Sequence, residues 1–242
     1  MTRRSVSYDG WQTAVAEGVR KEMGYPTFPF EAVIFDMDGV LVDTEAAYQD
    51  ELVDFIHTFG LPVTEPERLS VVGGSHQSFR LIVADWLSRG SRRFGSVDEA
   101  FSCYAAWAKT RSYDYRALMF PDVVPAISRL QDRGVRLALA SSSPMDNIRE
   151  VLDACGLERV FETVVSGEQF KESKPEPDIY LHALSELRLP AERCCCVEDS
   201  VPGITAGKRA GLTVLARREE RFGFSQDHAD RIIDSLEDLL LL

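Results

Sequence analysis

Short apolar runs that stop abruptly at polar residues punctuate this sequence, at 32–35, 135–140, 163–165, 193–197 and 212–215. Runs of this length, bounded by charged residues, Ser or Gly, read as strands buried on both faces, as in a parallel sheet. Between them apolar positions fall three and four apart, the spacing of helices with one buried face. Such helices are predicted over 123–133, stopped by Gly134, over 144–155, closed by Gly156, over 178–187, and over 201–210, closed by Gly211. Strand and helix alternating in this way predict an α/β fold with a doubly wound, Rossmann-like parallel sheet.

One long interval breaks the alternation. From Thr44 to Ala117 the strand signals cease, and helical spacing takes over at 46–59, 77–88 and 97–109. An inserted α-helical domain over 46–117 is therefore expected, leaving 31–45 and 118–242 as the α/β core. Ahead of the first strand, residues 1–30 form an N-terminal extension in which Trp11, Val15, Val19 and Met23 recur every four residues. A short helix is predicted there, with Asp9 as N-cap and Gly24 as stop, and its apolar stripe is expected to pack on the core.

Composition narrows the partners. A chain of 242 residues that is 45% apolar can bury a sizeable interior, and its net charge of −12 argues against nucleic acid or an anionic membrane. A metal cation suits it better. Cys194, Cys195 and Cys196 run straight into Val197 and read as a buried strand, since no paired C-x-x-C or His partner lies at metal-ligand spacing. No window approaches the about 18 apolar residues of a membrane span, and the first residues lack the order of a signal peptide. A cytoplasmic location is expected.

The chemistry gathers where apolar runs end. Asp36 and Asp38 follow the first run, and Gly39 gives the backbone the freedom to bring both carboxylates toward one ligand. Taken alone, Asp38-Gly39 reads equally well as a tight turn without chemistry. Three later stretches alter the balance: Ser141-Ser142-Ser143 after the second run, Lys171 and Lys174 in the loop after the third, and Glu198-Asp199 after the fourth. In an open parallel sheet, groups at C-terminal strand ends share one crevice. Gly203-x-x-x-Gly207-Lys208 is not a nucleotide-binding loop, because its spacing is short and Arg209 stands where Ser or Thr is required.

With these residues in hand, the sequence resembles the haloacid dehalogenase superfamily. Its opening pattern D-x-D-G-x-x-x-D-[ST] stands as Asp36 to Thr44, followed in order by Ser141, by Lys174 in SKPEPDIY, and by Glu198-Asp199 in VEDS. A helical insert directly after the first motif is similar to the subgroup of β-phosphoglucomutase and small sugar-phosphate phosphatases. The resemblance implies Mg²⁺ as cofactor, with Asp36, the backbone carbonyl of Asp38 and Asp199 as ligands and Glu198 direct or through water. It implies Asp36 as nucleophile, Asp38 as acid and base, and Ser141 and Lys174 on the transferring oxygens. Thr44, Ser142, Tyr48, His76 and Arg80 are the expected substrate contacts, the substrate being a small phosphorylated metabolite.

Phosphate transfer to water or to a second sugar hydroxyl is then the open choice. The mutase pattern expects histidine and arginine where this chain has Tyr48 and His76. Tyr48 is a poor base near neutral pH, and a histidine is at most partly charged there. The departures favour a phosphatase, with a sugar-phosphate mutase as runner-up should Arg80 or Arg111 compensate. A non-catalytic relative that binds a metabolite is the third reading. Tyr48, His76, Arg80 and Trp107 suit more than one sugar or alcohol.

Overall fold

A computed structural model of the chain describes residues 28–72 and 76–242. The helix predicted within 1–30 lies outside the described residues, as do Gly73, Gly74 and Ser75. Six parallel strands form one sheet: β1 (Ala32–Phe35), β2 (Arg136–Ser141), β3 (Thr163–Ser166), β4 (Cys194–Glu198), β5 (Thr213–Arg217) and β6 (Arg231–Ile233). Their order is β3-β2-β1-β4-β5-β6, the doubly wound arrangement, which reverses direction between β1 and β4. Phe35 lies level with Leu139 on one side and Val197 on the other, so the strand ends carrying Asp36, Ser141 and Glu198 are adjacent.

Alternation along β1 divides the interior. Val33 and Phe35 join a cluster on one face of the sheet, and Ala32 and Ile34 join another on the opposite face. The first face is covered by helices at Val123–Asp132 and Met145–Cys155, the second by Asp178–Leu187 and Val201–Arg209. Cys194, Cys195 and Cys196 are fully buried in β4, with free thiols, as the strand reading expects. β6 was not anticipated; three residues, the first of them exposed, are too short to show a periodicity.

Between β1 and β2 the chain forms helices α1 (Thr44–Phe59), α2 (Glu65–Leu69), α3 (His76–Ser88), α4 (Val97–Ala108) and α5 (Tyr115–Leu118). The apolar faces of α1, α3 and α4 meet in a cluster of their own, including Leu52, Phe55, Val83, Trp86 and Leu87, while Tyr115 and Leu118 of α5 pack with the core of the sheet. α1 ends at Gly60, whose φ of 58° closes the helix in the left-handed region. The chain leaves the sheet and returns to it through neighbouring segments: the Asp43 amide donates to the Leu118 carbonyl at 2.8 Å, and the Phe120 amide to the Leu41 carbonyl at 3.1 Å.

Among the described residues no helix is long and apolar enough to cross a membrane.

Candidate active site

The end of β1 is tied to its neighbour by the Asp36 amide, which donates to the Val197 carbonyl at 2.9 Å. A tight loop follows, with Leu41 and Gly39 amides bonded to the Met37 and Val42 carbonyls, each at 2.8 Å. Gly39 adopts φ 78°, and a Cβ there would lie 2.0 Å from an Asp199 carboxylate oxygen. Glycine is needed on both counts.

Lys174 is buried, and its ammonium reaches Asp36 Oδ1 at 2.7 Å, Glu198 Oε1 at 2.6 Å and the Ala140 carbonyl at 3.0 Å. These three acceptors use its three donors. Burial alone would lower its pKa, but the Asp36 and Glu198 charges raise it above the usual lysine value, so Lys174 stays charged. Tyr180 adds a hydroxyl donor to Glu198 Oε1.

Asp38 points elsewhere in the same cavity. Its carboxylate accepts from the Thr44 hydroxyl on one oxygen and from the Ser143 hydroxyl at 2.9 Å on the other. Burial and then the nearby Asp36 charge push its pKa up to about 6, against the opposing pull of Thr44, Ser143 and Lys174.

Carboxylate oxygens of Asp36, Glu198 and Asp199 lie within 4.8 Å of one another, all buried. Burial, with Asp36 close by, raises the pKa of both Glu198 and Asp199 against the opposing pull of the Lys174 charge, the direction expected where buried acids outnumber the cations beside them. Glu198 Oε2 is buried without a hydrogen-bond partner, and a Cβ on Gly203 would fall 1.9 Å from it. An orphaned oxygen, a helix start shaped around it and three hard anionic donors fit a divalent cation of the Mg²⁺ type. The Asp38 side chain stands outside this group.

These groups open on a cavity of about 340 Å³ lined by Asp36, Asp38, Lys174 and Asp199 at the sheet end and by α1, α3 and α4 at the other. Ser142, Tyr48 and His76 reach it as the sequence led us to expect. Three other expected contacts do not. Thr44 is fully buried and holds Asp38 instead of facing a substrate. Ser141 is fully buried too, its hydroxyl accepting from the Ser143 amide at 3.1 Å, so that Ser142 and Ser143 form the wall. Arg80 turns outward to pair with Asp98 and covers the Phe101 ring at 5.4 Å. Arg111 is likewise drawn away, to Asp54 at 3.4 Å and over Trp107 at 4.4 Å.

Ser143, Glu51, Tyr104, Tyr113 and Asn147 line the cavity without having been singled out from the sequence. The Ser141-Ser142-Ser143 triplet announced a hydroxyl there but not its register. Glu51 shows only as an acid on the apolar side of an amphipathic helix, and its partner Tyr104 is distant in sequence.

Comparison with known proteins agrees with this geometry. Residues 30–211 match the family model described as "Hydrolase: haloacid dehalogenase-like hydrolase". The phosphorylated carbohydrates phosphatase of Thermotoga maritima is 34% identical over 182 residues, 75% of this chain and 82% of that protein. Hexitol phosphatase B of Escherichia coli K12 is 30% identical, over 75% of this chain and 80% of that one. The crystal structure of CbbY from Rhodobacter sphaeroides in complex with phosphate superposes with a TM-score of 0.67 at 26% identity, covering 87% of this chain and 96% of CbbY. With its motifs, its sheet order and these relatives in agreement, the chain belongs to the haloacid dehalogenase-like hydrolases.

Proposed function

We propose that this protein is a Mg²⁺-dependent phosphohydrolase that removes phosphate from a small phosphorylated metabolite, a sugar phosphate above all, through an aspartyl-phosphate intermediate. The observation that carries this reading is the placement of Asp36 and Asp38 on one cavity with different environments. Asp36 is paired to a buried ammonium, whereas Asp38 is held by two hydroxyls and its pKa is pushed up to about 6 by burial and the Asp36 charge. Two carboxyl groups kept apart in this way can take the roles of nucleophile and acid.

In the first step an Asp36 carboxylate oxygen bonds to phosphorus while the bond from phosphorus to the leaving oxygen breaks, and Asp38 gives that oxygen its proton. In the second, water attacks the aspartyl phosphate, its proton passes to Asp38, and Asp36 is released as carboxylate. Lys174 offsets the negative charge that gathers around Asp36. Ser142 and Ser143 offer hydroxyls to the phosphoryl oxygens. Asp36, Glu198, Asp199 and the Asp38 carbonyl would hold Mg²⁺, which supplies Lewis-acid stabilisation of phosphoryl charge.

We further take the helices within residues 46–117 as a unit distinct from the core that supplies recognition while the sheet supplies chemistry. The separate apolar cluster of α1, α3 and α4 supports this division. The outward turn of Arg80 and Arg111 favours hydrolysis over a mutase, which must grip a second phosphate. The test is turnover of p-nitrophenyl phosphate with Mg²⁺, with chelator, and with Mg²⁺ restored. Release of phosphate that chelation abolishes and Mg²⁺ restores is the expected result; no release under any condition overturns the reading.

A further inference from the structure

The far end of the cavity is walled mainly by rings. Tyr48 meets Tyr113 edge to face at 5.4 Å between centroids, and Tyr104 does the same with Phe79 at 5.2 Å. Leu52 and Val71 complete an apolar surface on which the flat face of a ring or polyol can pack. Set into this surface is one carboxylate, Glu51, whose Oε1 accepts from the Tyr104 hydroxyl at 2.8 Å. That bond fixes the direction of the acid.

No lysine or arginine lines this end among the described residues. Arg68 donates to the side chain of Gln49 and lies 3.8 Å from Glu65, and Arg80 and Arg111 pair with Asp98 and Asp54. His76 does line the cavity, but burial, and then the charge of Arg80, lower its pKa and favour the neutral ring. A second phosphate or carboxylate on a substrate would therefore lose its water with no lysine or arginine lining this end to replace it, facing Glu51 instead. Burial already disfavours the charge on Glu51 itself, raising its pKa against the opposing pull of the Tyr104 hydroxyl and the Arg111 charge. A substrate anion placed beside it would meet the same desolvation.

We propose that the far wall selects substrates with a single phosphate on an uncharged, hydroxyl-bearing leaving group, and that Glu51, oriented by Tyr104, is the acceptor that reads the hydroxyl. This builds on the phosphohydrolase reading and adds to it a specificity-determining pair. A site built to hydrogen-bond a hydroxyl also discriminates against groups that leave its acceptor unpaired.

Phosphate release from matched pairs tests the proposal in the wild-type, Mg²⁺-loaded enzyme: glucose 6-phosphate against 6-phosphogluconate, and fructose 6-phosphate against fructose 1,6-bisphosphate. The members of each pair differ by one anionic group. The member whose leaving group is uncharged should have a kcat/KM higher by at least about tenfold, a lower bound for a like-charge juxtaposition. Glu51→Gln should shrink that ratio toward one, and Tyr104→Phe should move it the same way by less. Equal processing of both members by the wild type overturns the proposal whether or not the variants fold, and so does a ratio unmoved in a folded Glu51→Gln protein. With p-nitrophenyl phosphate alongside, the two readings fail separately. Turnover of that ester but of neither hexose phosphate overturns the leaving-group class alone, whereas no turnover of any ester removes the hydrolase reading beneath it.

Discussion

At the sheet end of the cavity each reacting side chain is held by groups from other elements, while at the far end recognition is spread over packed rings. Asp36 is tied to Lys174 from beyond β3, Asp38 to Thr44 of α1 and Ser143 beyond β2, and Glu198 to Lys174 and Tyr180. The far wall carries scattered polar ties, Tyr104 to Glu51 and Arg68 to Gln49 among them, set among edge-to-face contacts. The lesson is that a charged constellation at strand ends tolerates little displacement, whereas an apolar wall can be retuned one side chain at a time.

The comparison breaks most sharply at Asp36. Asp36→Asn keeps the volume but cannot form an acyl phosphate, so turnover should fall below about a hundredth of wild type, with the circular dichroism of the folded protein retained. A larger residual rate would move the nucleophile elsewhere. Next comes Gly203→Ala, which adds no charge and removes none. Its Cβ would lie 1.9 Å from Glu198 Oε2, so the Mg²⁺ needed for half-maximal activity should rise by about tenfold or more. Helix propensity alone favours alanine there by about 1 kcal/mol, so a weakened helix would not explain the loss. An unchanged Mg²⁺ titration would detach Glu198 from the metal site.

Thr44→Val sharpens the boundary between the two ends. Removing the hydroxyl that holds Asp38 should lower kcat by about tenfold, part of what a positioned acid contributes, with KM little changed. A raised KM with kcat intact would return Thr44 to the substrate. The smallest effect is expected of Arg80→Ala, because Arg80 pairs outward with the exposed Asp98. KM for a sugar phosphate should hold, and stability should fall by at most about 1 kcal/mol. A marked rise in KM would bring Arg80 back into the site.

Legibility in the sequence follows the same divide. Runs such as Ala32 to Phe35 and Cys194 to Val197 are buried on both faces, so their burial is written in continuous apolar residues, and the groups that follow them fall on one edge by topology. Asp36, Asp38, Lys174, Glu198 and Asp199 could be placed for that reason. Serine register failed because three successive hydroxyls are equivalent in sequence, and only the turn after β2 assigns Ser141 to the Ser143 amide and Ser143 to Asp38. Arg80 was misplaced because charge type does not reveal the side of α3 on which the guanidinium finds a partner. Glu51 and Tyr104 come from helices brought together by tertiary packing, which no local pattern records.

The way the helices hang on the sheet has a consequence for descent. Entry and exit lie side by side, joined by the amide of Asp43 on the Leu118 carbonyl and the amide of Phe120 on the Leu41 carbonyl. Both bonds are made by backbone, so they ask nothing of side-chain identity. Beyond Thr44, which holds Asp38, the interval between them can be lengthened, shortened or exchanged over generations without breaking a sheet bond. New substrates can thus be acquired by rewriting one interval of the gene, while the catalytic inheritance passes on unaltered.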